Sequence, residues 1–166
     1  MHIMEFRSVF ILLAFLLMSS KATLAQVDHN GLPDHTPMMS EAWDVINQLM
    51  YKVEYEDKKA DPIITPVFPD GLKAMEGEQV TLQGYLVPIS SGREHQRFML
   101  SVLPIAQCMF CGQGDIPPMV EIVLDDDPIQ FTEVPLIVKG ELYLNPGVGD
   151  GNADIQLHHA KARKRG

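Results

Sequence analysis

The sequence predicts a mainly β chain: a small five-stranded barrel carrying one N-terminal amphipathic helix. Three observations predict it. From Val80 onward five segments read as strands, the clearest of them, Val80 to Leu86, alternating apolar and polar residues with period two. Two of the longer ones are broken at mid-strand by a glycine, Gly84 and Gly140, where a bulge or sharp bend is expected. One stretch ahead of them repeats its apolar residues at helical spacing.

The first 25 residues read as a signal peptide. Arg7 supplies a positive start, Val9 to Met18 is an apolar run too short to span a bilayer comfortably, and Thr23-Leu24-Ala25 offers small residues for cleavage. Cutting after Ala25 leaves about 140 residues, enough for one core. No later segment is apolar enough to cross a membrane, so the mature chain is expected to carry no span and to be periplasmic or secreted. Residues 26–39 are polar, with Gly31, Pro33 and Pro37, and read as a flexible leader.

Residues 40–162 are expected to form the helix and barrel. Ser40 is placed to cap a helix, and Glu41 would meet the positive end of its dipole. Ala42, Ile46, Leu49, Met50 and Val53 repeat at helical spacing, which predicts a helix over 41–53 with Trp43 as a core anchor. Residues 54–78, with Pro62, Pro66 and Pro69, read as an extended crossing segment ending in a short helical turn. The strands follow: Val80 to Leu86, Phe98 to Val102, "MVEIVL", "VPLIVKGELYL" and "ADIQLHHAKA". Few strands with glycine bends suit a coiled OB-type barrel, which hides its edges by closing. A sandwich usually needs more strands. Lys161 to Arg165 are basic and read as a frayed end, with 163–166 a tail.

The formal net charge of −9 argues against nucleic acid as a partner, because phosphate contacts need basic surface. No serine–histidine–acid order, carboxylate pair or phosphate-cradling loop stands out, so an enzyme is the minority reading. "DGNAD" puts Asp150, Asn152 and Asp154 at calcium-loop spacing, but Ile155 stands where glycine is required, so a plain turn is expected. Glu121, between Val120 and Ile122, reads as a solvent-facing strand residue.

Both cysteines lie in "QCMFCGQGDIPP", as Cys108 and Cys111. A disulfide suits an oxidising compartment and an even count, but so short a ring closes almost no chain and stabilises little. A redox centre needs a lowered thiol pKa, and no helix start, lysine, arginine or histidine lies in the loop to supply it. Metal, zinc foremost, needs further ligands. The candidates are His158 and His159 on the last strand, with His95, His29 and His35 behind them. Adjacent strand residues face opposite ways, so one of His158 and His159 at most is expected to face the loop.

"PVFPDGLKAMEGEQVTLQGYLVPI", "FMLSVLPIAQCMFCGQGDIPPMVEIVL" and "VKGELYLN" resemble a bacterial family of secreted proteins of unknown function. The resemblance runs from Trp43 to the final strand. Family members read closer to Cys-Phe-Phe-Cys-Gly-Gly-Ala-Gly-Pro-Glu-Ser where this chain has Met109, Gln113, Asp115 and Pro117-Pro118. The resemblance implies an OB-like barrel and an association with envelope or transporter proteins, some of them metal-related. A related branch carries Cys-x-His-x-Pro-Pro there, an exchange that fits ligands better than a disulfide. Two functions are therefore expected from this sequence: a non-enzymatic binding or accessory module of the periplasm, or a thiol–disulfide exchange protein using Cys108 and Cys111.

Overall fold

A computed structural model describes residues 37–57, 61–104, 117–147 and 151–165. They fall in one unit, His35–Gly166. In chain order the elements are α1 (Glu41–Ile46), β1 (Met50–Glu54), β2 (Ile63–Val67), α2 (Asp70–Lys73), β3 (Gln79–Pro88), β4 (Glu94–His95), β5 (Arg97–Ser101), β6 (Met119–Leu124), β7 (Ile129–Gln130), β8 (Leu136–Leu144) and β9 (Ile155–Lys164).

The five expected strands, β3, β5, β6, β8 and β9, form a closed barrel in the order β3-β5-β6-β9-β8. All neighbours are antiparallel except β6 and β9, which run parallel. The last strand therefore inserts between the third and fourth, which is the OB arrangement. Inward positions repeat every second residue: Val80 and Leu82, Phe98 and Leu100, Val120 and Ile122, Leu136 and Val138, then Leu157. They merge with Trp43, Ile46 and Leu72 from the helices into one core.

β3 changes partner along its length. Residues 79–84 pair with β8, and 85–88 pair with β5. Gly84 sits at that corner, where a Cβ would lie 2.6 Å from the Ser101 carbonyl oxygen. Gly140 faces the other irregularity. Between Leu157 and Ala160, β9 carries one more residue than either neighbour, and the extra residue is His159, at φ 48°. The bulge pushes the His158 carbonyl toward β8, where a Cβ on Gly140 would meet it at 2.8 Å.

α1 is capped by Ser40, whose Oγ accepts from the Trp43 amide at 3.4 Å. The Trp43 indole is fully buried and donates Nε1–H to the Gln83 carbonyl at 2.9 Å, which ties the helix to β3. The helix is shorter than the 41–53 expected. It stops at Ile46, and Met50–Glu54 pairs instead with Ile63–Val67 as a two-stranded ribbon, where an extended crossing had been expected. The reason is compositional: Lys52, Val53 and Glu54 pair with the β-branched run Thr65, Ile64 and Ile63, and pairing outweighs helical spacing. Met50, Tyr51, Val53 and Ile64 are all exposed. The short turn before Gly77 is present as α2. The basic end is not frayed as expected. β9 continues to Lys164, paired with Leu136, and the Arg165 amide donates to the Pro135 carbonyl at 2.8 Å. Among the described residues no helix is long and apolar enough to cross a membrane.

Gly84→Ala and Gly140→Ala should each cost about 2–3 kcal/mol, as overpacking against backbone that cannot yield does. Gly71→Ala, with Val45 Cγ1 at 3.6 Å, is expected to be neutral or mildly stabilising. Denaturant midpoints at constant slope measure all three.

Candidate functional site

The outer face of the barrel carries its polar residues in register. Met99, Glu121, Gln156 and Tyr143 stand side by side across β5, β6, β9 and β8. Arg97 and His158 belong to the next row, Arg97 opposite Val123 and His158 opposite Glu141. The β8–β9 connection brings Asn145 and Asn152 to the same face. The result is a groove of about 370 Å³ lined by Arg97, Val123, Tyr143, Asn145, Asn152, Gln156 and His158.

Arg97, which lines the groove, is held by a buried carboxylate that does not line it. Glu121 is 3 % exposed, which corrects the expectation of a solvent-facing residue. The alternation places it outside the barrel as expected, but two elements cover it. Arg97 donates Nε–H (3.1 Å) and a terminal N–H (2.5 Å) to Oε1. The Ala153 amide donates to Oε2 at 3.1 Å. Arg97 also donates to Asn152 Oδ1 at 2.8 Å, so it joins strand and loop. Such a carboxylate is stabilised by charge-assisted bonds on both oxygens. Its partner is half exposed on the groove side.

The hydrogen bonds fix the histidine at the rim. The Ala153 carbonyl can only accept, so the Gln156 amide nitrogen must face it, at 3.0 Å. Gln156 Oε1 then faces His158 Nε2 at 2.6 Å, and that nitrogen must carry the proton. In the neutral ring the lone pair is on Nδ1. The ring leans on Tyr143, with centroids 5.0 Å apart and planes 43° apart.

The bulge overturns the expected alternation of His158 and His159. Inward Leu157 and Ala160 are three residues apart, so both histidines lie outside the barrel. His158 belongs to the groove. His159 Nδ1 lies 3.0 Å from both carboxylate oxygens of Asp125, beyond the far end of β6. Cys108 and Cys111 lie outside the described residues. Pro117 and Pro118, which follow them, share an apolar pocket of about 320 Å³ with Ala153, Asp154 and Ile155 at the start of β9. Among the described residues no three His, Cys, Asp or Glu side chains come together as a metal site.

Tyr51 joins that pocket to the ribbon by donating its hydroxyl to Asp154 Oδ2 at 2.7 Å. Partial burial first, then this bond and the Asp154 charge, raise the phenol from 10.0 to about 12. Asn152 and Asp154, read from sequence as a plain turn, thus clamp two elements. His95, a further ligand candidate from sequence, is buried in β4 with neither ring nitrogen hydrogen-bonded. The depression beside it, about 720 Å³, is lined by exposed Arg93, Glu94, Gln130 and Phe131 alone and offers little to hold a ligand.

Sequence reasoning missed Arg97, Tyr143, Gln156 and Tyr51. Tyr143 and Gln156 occupy outward positions of predicted strands and Arg97 lies one residue before one, and the signal lay in their register, which one sequence does not print. The chain matches no protein-family model, no curated protein and no solved structure.

Glu121→Gln keeps the shape but removes the charge, and should cost about 1–3 kcal/mol. Chemical denaturation reads it, and the loss should shrink in an Arg97→Met background, as coupled groups require. For Tyr51, a folded pKa above the unfolded 10.0 stabilises the protonated phenol. That contribution is complete below pH 10 and is lost as pH rises toward 12. The stability–pH curve of Tyr51→Phe should therefore be flatter across that window.

Proposed function

We propose that this chain is a non-enzymatic binding module of the periplasm, with the outer groove as its ligand site. One observation carries the reading: a half-exposed arginine, an aromatic ring and an imidazole are held in fixed positions around a buried, fully hydrogen-bonded carboxylate. Desolvating Glu121 is costly unless its partners are in place, so the cluster rigidifies the loop that forms one wall. A rigid, mostly neutral polar wall suits recognition of a small polar ligand. The N-terminal apolar segment supports delivery to the periplasm, and the resemblance of the strand–cysteine loop–strand stretch supports an accessory role beside an envelope transporter.

Nuclear magnetic resonance shift mapping of the full-length protein against a library of small polar fragments tests this. Perturbations should cluster on Arg97, Tyr143, Gln156 and His158, and perturbations confined to other surfaces would remove the groove from consideration. Thiol titration of protein recovered from the periplasm separates the exchange reading. Rapidly reacting Cys108 and Cys111, with a thiol pKa well below the free value of about 8.5, would replace the binding reading by catalysis.

A further inference from the structure

We infer that the groove on the outer face of β5, β6, β9 and β8 takes a neutral oligosaccharide. This rests on the groove being a ligand site, and it names the ligand's chemistry from three features.

The first is charge. Arg97 is the cation of the groove, and Glu121 compensates it at 2.5 Å. The chain carries a net charge of −9, which repels polyanions at long range. A phosphate or nucleic acid backbone would have to compete with Glu121 for the guanidinium. A ligand that needs donors and acceptors but no net charge does not.

The second is a flat apolar surface among polar groups. Tyr143 is 44 % exposed and is held at a fixed tilt by His158. An exposed aromatic ring with a polar rim matches the apolar C–H face of a sugar ring, which is itself edged by hydroxyls. Two adjacent sugar rings, with the ring on one and polar contacts on the next, fill a groove of about 370 Å³.

The third is complementary hydrogen bonding. Arg97 spends Nε–H and one terminal nitrogen on Glu121 and Asn152. The other terminal nitrogen keeps two N–H donors in the guanidinium plane. His158 carries its proton on Nε2, so Nδ1 accepts. Donors and an acceptor at fixed positions match a pair of neighbouring hydroxyls, each of which both donates and accepts. Barrels of this architecture bind oligosaccharides as well as oligonucleotides, and charge decides between them here.

The test is titration of the full-length protein with cellotetraose, maltotetraose and chitotetraose, read by calorimetry and by chemical-shift mapping. Octathymidylate and inorganic phosphate serve as charged controls. At least one tetrasaccharide should bind saturably, with shifts centred on Tyr143 and Arg97. Tyr143→Ala should weaken it tenfold or more, and Tyr143→Phe should restore most of the affinity. Tyr143 is exposed, so both variants should melt with the wild type, and the melt is checked in parallel. Groove shifts with octathymidylate or phosphate alone would overturn the saccharide assignment and leave the groove standing as a site. Silence of the groove toward every probe would overturn both. Tetrasaccharide binding that survives Tyr143→Ala unchanged would place the sugar elsewhere and overturn the inference.

Discussion

A barrel of five strands is narrow, and closing it forces backbones together at two points. Gly84 marks where β3 leaves β8 for β5, and Gly140 marks where β8 meets the bulge of β9. At both, a neighbouring carbonyl oxygen occupies the space a side chain would take. Strand tilt, the inward apolar rows and the outward polar rows all follow from the closure these glycines permit. Trp43 and Leu72 complete the core that the strands enclose.

The groove follows from that closure. Because β9 lies between β6 and β8, the loop entering it crosses the outer face of β6 and delivers the Ala153 amide and the Asn152 side chain to Glu121. A carboxylate that alternation points at water is thereby removed from it. Arg97, one strand away, supplies the compensating charge. The bulge at His159 extends the arrangement by keeping His158 on the outside, within reach of Gln156 and Tyr143.

Much of the fold was legible in the sequence, because period-two alternation and mid-strand glycines report local geometry directly. The longer barrel strands and both bends could be read that way, and the short β6 from its apolar run between turns. What failed was decided by partners distant in sequence. Met50 and Val53 continue a helical spacing, yet pairing with Ile64 and Val67 makes them strand. Lys161 to Lys164 look like a solvated end, yet β8 offers an unpaired edge. For the site the sequence supplied the residue types but not their register. Alternation puts Glu121 on the outer face, but nothing local announces a loop folding over it. His158 and His159 were separated by a rule that a one-residue bulge suspends.

The insertion of β9 has a consequence for how the domain comes into being. The strand that seals the barrel is made after the other four, and both of its neighbours must await it. Until residues 155–164 pair, β6 and β8 each present an open edge, and nothing anchors the Ala153 amide over Glu121. Pairings between segments so far apart form slowly, since a long loop must close before they reward it. β3, β5, β6 and β8 can pair among themselves without β9, but only as an open sheet. Closure is therefore the step that joins the two edges of the sheet, and only with it does Glu121 gain its backbone donor.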